Sequence, residues 1–186
     1  MAASSFMVPL GSPVPEFALP SLDGTTISRG NFADAPALLV MFLSNHCPYV
    51  RHLEAELGKL LDGYPQLGTV AICSNDTANY PDDAAKYLRE QRARAGFTFP
   101  YLLDEDQLVA KDFRAACTPD FFLYDREEKL AYRGAFDYST PGNDKPVTGE
   151  LLRSAIDAVL AGEPVAEPHQ PSVGCSIKWR PGNEPG

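Results

Sequence analysis

One cysteine of this chain stands where a thiol can become reactive. Cys47 is followed directly by Pro48, between the apolar residues 37–43 and a segment with helical spacing of leucines. Proline is favoured at the first position of a helix, so the pattern predicts Cys47 as the N-cap residue. The free N–H groups of Tyr49 and Val50 would then donate to the sulfur, and the helix dipole would favour the thiolate. These residue types in this order predict a redox nucleophile at Cys47.

The elements that would position this cysteine alternate between strands and helices. A break at Pro20 and another at Asp23-Gly24 indicate a hairpin-like pair of strands near the N-terminus. Apolar runs predict strands and a 3.6-residue period predicts helices. The predicted strands are 37–43, 68–74 and two within 120–134 joined at 125–129, and the predicted helices are 48–62, 81–96, 106–115 and 148–162.

This order predicts an α/β fold, with a central mixed β-sheet flanked by helices. A right-handed crossover places the N-terminus of the helix at 48–62 at the carboxyl edge of the sheet, where α/β proteins keep their chemistry. We expect one domain over residues 1–162. Residues 163–186 form a Pro-rich tail that we expect to pack on it.

Composition argues against nucleic-acid and membrane partners and against a disulfide scaffold. The chain has 186 residues, and its net charge of −9 argues against binding to nucleic acid or to a membrane surface. No run of about 18 apolar residues suggests a transmembrane helix. The N-terminus lacks a basic start and a long apolar stretch, so a cytoplasmic location is expected. Four cysteines are too few for a disulfide scaffold.

Three segments carry a resemblance to a known family. The stretch MFLSNHCPYVRHLEAEL resembles the active-site segment of the thioredoxin superfamily, in its peroxiredoxin-like redoxin branch (alkyl hydroperoxide reductase/thiol-specific antioxidant). GSPVPEFALPSLDG resembles the N-terminal strand pair of that branch, and CTPDFFLYDREEKLAYRG resembles the cis-proline strand and the following hairpin. The resemblance spans about residues 8–160. It implies a thioredoxin-like fold, with thiol–disulfide or peroxide chemistry at Cys47.

The resemblance also assigns neighbours to the sulfur. Thr118 and Pro119, with Pro119 in the cis-proline place, would lie beside Cys47 and receive an extended substrate or a partner thiol. Ser44 matches the hydroxyl position of the peroxiredoxin pattern Pro-x-x-x-Thr/Ser-x-x-Cys. His46 is a polar neighbour of the thiol.

The sequence departs from both patterns. Val50 stands where thioredoxins carry their second cysteine, and Val40 replaces the proline of the peroxiredoxin pattern. Pro119 occupies the place of the peroxiredoxin arginine. Three other arginines could substitute for it: Arg51, Arg114 and Arg133. Neither a complete thioredoxin nor a complete peroxiredoxin is therefore indicated.

A disulfide mechanism needs a second thiol. Cys175 lies in the Pro/Gly-rich tail, which could fold back across the domain. Cys117 precedes Pro119 by two residues, in the loop that the resemblance places opposite Cys47. Cys73 ends an apolar strand and is expected to be a small core residue. Cys175, Cys117 and an external thiol all remain open as the partner.

The expected function is that of a thiol-dependent oxidoreductase that reduces peroxides or protein disulfides. The alternative is a non-catalytic thioredoxin-like binding module. The expected partners are a peroxide or disulfide substrate and a thiol reductant such as thioredoxin. No cofactor or metal is expected, because the chain lacks Cys-x-x-Cys and His-x-x-x-His spacings. The candidate catalytic residues are Cys47, Cys175 and Cys117, and the candidate substrate-binding residues are Ser44, His46, Pro48, Tyr49, Thr118 and Pro119.

Overall fold

The structure, a computed structural model, describes residues 1–186. The strands are β1 Ala2–Ser4, β2 Ala18–Pro20, β3 Thr26–Ser28, β4 Leu38–Phe42, β5 Gly68–Cys73, β6 Tyr101–Leu103, β7 Cys117–Thr118, β8 Asp120–Tyr124, β9 Leu130–Gly134 and β10 Val173–Ser176. The α-helices are α1 Pro48–Asp62, α2 Ala85–Ala95, α3 Leu108–Phe113 and α4 Glu150–Leu160.

A five-stranded mixed sheet forms the centre of the molecule, in the order β6-β5-β4-β8-β9. Strands β4, β5 and β6 run parallel, while β8 is antiparallel to both β4 and β9. Every residue of β4 is buried, as its uninterrupted apolar sequence predicts for a central strand covered on both faces. The predicted mixed sheet with helices on its two faces is confirmed.

The alternation of side chains along β4 divides the interior into two cores. Leu39 and Met41 face a core that contains the apolar residues of α1, α2 and α4. Val40 and Phe42 face a second core, built with α3 and the N-terminal strand pair. Helix α1 begins and ends at the predicted residues, so its N-terminus lies at the carboxyl end of β4.

Two predictions about local structure need correction. The helix expected at residues 81–96 is split into a 3₁₀ turn at Pro81–Asp83 and α2, with Ala84 extended between them. The break lies at Asp83, whose side chain accepts hydrogen bonds from the loop that precedes Cys47, as described below. Strand β6 was not predicted, because it has only three residues and follows the helical segment closely. The N-terminal pair β2–β3 is confirmed.

The C-terminal residues contribute a strand of their own. Strand β10 lies between β1 and β7 in a separate three-stranded antiparallel sheet. In this register Cys175 is opposite both Ala2 and Thr118. The tail thus returns across the domain to the start of α1. No helix in the structure combines the length and the apolar character that crossing a lipid bilayer requires.

Candidate active site

Cys47 is the N-cap residue of α1 and is fully buried. Its backbone is extended, with φ −69° and ψ 122°, and Pro48 begins the helix as predicted. The expected hydrogen bonds from Tyr49 and Val50 to this sulfur are wrong, since the Cys47 side chain makes no capping hydrogen bond. The sulfur instead lies 3.2 Å from the Thr118 carbonyl oxygen.

Cys175 supplies the second sulfur at this position. Its Sγ lies 2.8 Å from Cys47 Sγ, although the two residues are 128 positions apart in the chain. Burial, together with the hydrogen bond and the charge of Cys47, raises the pKa of Cys175 to about 11. The Lys178 ammonium and the Tyr49 backbone N–H act in the opposite direction. The first turn of α1 therefore acts on the tail sulfur, through the Tyr49 N–H.

The other cysteines form no hydrogen bond with this pair. Cys117 Sγ lies 3.5 Å from the Pro119 carbonyl oxygen and 4.0 Å from that of Ser172. Burial, reinforced by the charge of Asp120, raises the pKa of the Cys117 thiol. Cys73 lies in the core beside α1, where burial raises its pKa. Of the partner thiols that the sequence left open, the structure brings Cys175 to Cys47.

Thr118 and Pro119 lie beside the sulfurs, joined by a cis peptide bond. The sequence predicts that they receive an extended substrate or a partner thiol, and the structure places the strand of Cys175 there, since β10 pairs with Thr118. Gly174 makes this contact possible, since a Cβ on it would lie 2.0 Å from the Thr118 carbonyl oxygen. The Ser172 hydroxyl adds a hydrogen bond of 2.6 Å to the Pro119 carbonyl oxygen.

A buried carboxylate organises the segment that precedes Cys47. Asp83 accepts hydrogen bonds from the Ser44 hydroxyl at 3.1 Å, the Asn45 N–H at 2.8 Å and the Asn75 amide at 2.8 Å. The ring Nδ1 of His46 lies 2.7 Å from Asp83 Oδ2, and its backbone N–H lies 3.2 Å from Oδ1. Burial alone would raise the pKa of Asp83, but the hydrogen bonds of His46 and Asn75 hold it below its ordinary value.

This network sets the roles open to two predicted site residues. The Ser44 hydroxyl is buried and occupied by Asp83. The contact with Asp83 assigns a proton to Nδ1 of His46. The imidazole ring stacks on the Tyr80 ring, with the ring centroids 5.6 Å apart. The Ser44 hydroxyl therefore helps to hold the loop before Cys47 in place, and contacts with Asp83 and Tyr80 hold the His46 ring.

The candidate arginines are engaged elsewhere. Arg51 donates from Nε to the Asn45 carbonyl oxygen at 2.7 Å. Arg133 donates to the Val8 carbonyl oxygen at 2.7 Å and contacts His169. Arg114 ends α3 in a left-handed conformation. None of these arginines donates a hydrogen bond to Cys47. No group of three or more His, Cys, Asp or Glu residues could hold a metal ion.

Gln107 fixes the tail beyond β10. Its buried amide donates to the Lys178 carbonyl oxygen at 2.9 Å and to that of Ser74 at 2.7 Å, and its carbonyl accepts from the Arg180 N–H at 2.9 Å. The Lys178 N–H donates to Asn75 Oδ1 at 2.8 Å. The tail is therefore bound on the same edge of the sheet as Cys47.

Sequence reasoning missed the residues that hold the two sulfurs in place: Asp83, Asn75, Gln107, Gly174 and Lys178. One signal was available, because polar residues follow β5 directly, in a loop at the edge where β4 also ends. The role of Asp83 could not be recognised from the sequence, since an acidic residue in the first turn of a helix is usually explained by the helix dipole.

Comparison with known proteins identifies the family of this chain. The AhpC/TSA family model matches residues 10–133. A hypothetical protein from Sinorhizobium meliloti 1021 has a crystal structure that is 46% identical, with a TM-score of 0.94 over 96% of this chain and 99% of that chain. The thiol:disulfide interchange protein DsbE of Yersinia pestis is 29% identical over 146 residues, 77% of this chain and 71% of that protein.

A more distant structure establishes the fold. The thioredoxin domain of a thiol-disulfide oxidoreductase from Bacteroides vulgatus is 18% identical, with a TM-score of 0.57 over 68% of this chain and 88% of that chain. The thioredoxin-like fold implied by the sequence is therefore confirmed. With two thirds of its length matched by one family model, the chain belongs to the AhpC/TSA family of thioredoxin-like redoxins, whose general chemistry is thiol–disulfide oxidoreduction.

Proposed function

We propose that this protein is a dithiol–disulfide oxidoreductase in which Cys47 and Cys175 form a reversible intramolecular disulfide. The observation that supports this is the 2.8 Å separation of the two Sγ atoms. A paired strand, rather than a chance contact of side chains, brings Cys175 there, since β10 is hydrogen-bonded to both β1 and β7.

The exchange proceeds in two steps. In the reduced protein no bond holds Cys175 to Cys47, and β10 moves away from Thr118 to admit the substrate. The Cys47 thiolate then attacks one sulfur of an external disulfide and displaces the first external thiolate, which leaves a mixed disulfide on Cys47. The Cys175 thiolate then attacks the Cys47 sulfur and displaces the second external thiolate. Two electrons pass from the protein to the substrate. The Lys178 charge and the Tyr49 N–H assist the second step by favouring the Cys175 thiolate.

Peroxide reduction is the second candidate, and the AhpC/TSA family match favours it. The Cys47 thiolate would attack one peroxide oxygen, and the O–O bond would break to give a sulfenic acid on Cys47 and water or an alcohol from the other oxygen. Cys175 would then condense with the sulfenic acid to give the same disulfide and a water molecule. Disulfide exchange is better supported. The Ser44 hydroxyl is hydrogen-bonded to Asp83, and no arginine donates a hydrogen bond to Cys47.

The test compares oxidants on the reduced protein. Stopped-flow mixing with 2,2′-dithiodipyridine should consume Cys47 and Cys175 and release two thiopyridone molecules, with peptide mapping that joins the two cysteines. Cys47→Ser should abolish this reaction, and Cys175→Ser should stop it at a mixed disulfide on Cys47. Cys73→Ser is the matched control and should keep the wild-type rate, because its sulfur lies outside the pair.

Each alternative has its own outcome. Faster oxidation by hydrogen peroxide than by the disulfide would favour the peroxidase. Full activity in Cys47→Ser would refute the assignment, and no disulfide with either oxidant would favour the non-catalytic binding module. The reductant would be a thiol protein such as thioredoxin, in the cytoplasm.

A further inference from the structure

We propose that a thiol reducing the Cys47–Cys175 disulfide attacks the sulfur of Cys175 and that Cys47 is the leaving sulfur. This proposal rests on the proposed function, because it requires that disulfide. It assigns to the tail cysteine the contact with the external reductant, and it leaves the helix cysteine with no contact to that partner.

Access to the two sulfurs differs. Cys47 is 0% exposed, beneath the Thr118 carbonyl oxygen and the Cys175 sulfur. Cys175 is only half-buried. Forming the bond requires a small approach of two sulfurs that are already in contact, so β10 covers Cys47 in the oxidised protein as well. An attacking thiol therefore meets Cys175 first.

β10 is packed too closely to leave a second route. Gly174 lies directly against the Thr118 backbone, and Ser172 is hydrogen-bonded to Pro119. Thiol–disulfide exchange needs direct contact between the attacking sulfur and the sulfur that it bonds. In the oxidised protein the Cys47–Cys175 bond also holds β10 in this position, so a thiol on another molecule reaches Cys175 and not Cys47.

The two leaving groups also differ. In exchange, the sulfur with the lower pKa leaves faster. Cys47 leaves at the N-terminus of the 15-residue helix α1, whose dipole stabilises a thiolate. Burial opposes a thiolate on Cys175, because it raises the pKa of that sulfur. Access and leaving-group chemistry thus favour the same direction of attack.

The positive charge of Lys178 lies close to Cys175, where it would attract an anionic thiol. Its Nζ donates to the Ser176 carbonyl oxygen at 2.9 Å and lies 5.8 Å from the centre of the Tyr80 ring. The ammonium is close enough to Cys175 to lower the pKa of that sulfur. In a chain of net charge −9, it makes the surroundings of Cys175 locally attractive to an anionic thiol.

The reaction balances in two exchanges. The reductant thiolate bonds to Cys175 Sγ, the Cys47–Cys175 bond breaks, and its electron pair stays on Cys47 as the thiolate. A second reductant thiolate then attacks the reductant sulfur of the mixed disulfide. Cys175 leaves as a thiolate and takes a proton, so the protein gains two electrons and the reductant becomes a disulfide.

The test begins from oxidised full-length protein whose Cys47–Cys175 bond has been verified by peptide mapping. The protein is mixed with glutathione and quenched with N-ethylmaleimide at early times. We expect glutathione on Cys175 and maleimide on Cys47. The reverse labelling would overturn this proposal and leave the proposed function intact, whereas absence of the starting disulfide would overturn both.

A charge variant gives a second measurement on folded protein. Lys178→Glu should slow reduction by anionic glutathione relative to reduction by cationic cysteamine, changing the ratio of the two rates roughly threefold or more. Lys59→Glu is the control, because Lys59 lies in the last turn of α1, at the end away from the sulfurs, and should leave the ratio unchanged. An unchanged ratio in Lys178→Glu would contradict attack beside that ammonium.

Discussion

Asp83 shows how a single buried side chain positions the residues before a reactive cysteine. It has no exposed surface, and it accepts hydrogen bonds from backbone and side-chain donors of Ser44, Asn45 and His46. A carboxylate can accept several hydrogen bonds, whereas an amide presents donors on one side. Removing the charge should therefore leave donors of this loop without an acceptor.

We predict that Asp83→Asn lowers the free energy of unfolding by about 2–4 kcal/mol, the cost of breaking charge-assisted hydrogen bonds in a buried site. Urea denaturation at pH 7 measures it. Asp34→Asn, at an exposed carboxylate, is the control and should change stability by less than about 0.5 kcal/mol.

The pH dependence of the same variant follows from the direction of the shift. The pKa of Asp83 is lower in the folded protein than in the unfolded chain. Its contribution is therefore present above the unfolded pKa of about 3.9 and is lost as the pH falls through the folded value. The difference between wild type and Asp83→Asn should shrink as the pH is lowered below about 4. A difference that stays constant down to pH 2 would contradict the ionised assignment.

At the scale of the element, β10 depends on the absence of a side chain at Gly174. We predict that Gly174→Ala displaces β10, because the new Cβ would lie 2.0 Å from the Thr118 carbonyl oxygen. Closure of the Cys47–Cys175 disulfide should slow by about tenfold or more, equivalent to at least ~1.4 kcal/mol in the barrier. Stopped-flow release of thiopyridone measures the rate.

The matched control for this variant is Gly30→Ala. The nearest atom to a Cβ there is Ser28 Oγ at an ordinary contact distance of 3.6 Å, so neither fold nor rate should change. Faster alkylation of Cys47 in Gly174→Ala would accompany the loss of the tail. A wild-type closure rate in Gly174→Ala would show that β10 does not hold Cys175 in position.

Elements with a strong local pattern were predictable, and those that depend on distant partners were not. Helix α1 was predicted to the residue, because its leucine spacing and Pro48 are local signals. The four residues of β10 pair with β1 and β7, far away in the chain, and contain a glycine in place of an alternating pattern. The sequence therefore identified Cys175 as a candidate, but only the strand pairing distinguishes it from Cys117.

At the scale of the molecule, the site joins the N-terminus of α1 to the C-terminal tail. The two cysteines are 128 residues apart, so their disulfide would close a loop that spans most of the chain. A cross-link of that length removes conformational entropy from the unfolded state. The folded state loses little, because β10 already places the two sulfurs in contact.

We therefore predict that the oxidised protein is more stable than the reduced protein by about 2–4 kcal/mol. Urea denaturation of both forms measures the difference, and Cys175→Ser should show none after the same oxidant treatment. By linkage, the disulfide should be harder to reduce in the folded protein than in the urea-unfolded chain, by about 40–90 mV. Equal denaturation midpoints for the two forms would mean that folding does not favour the bond, and the tail would then lose its part in setting the redox potential.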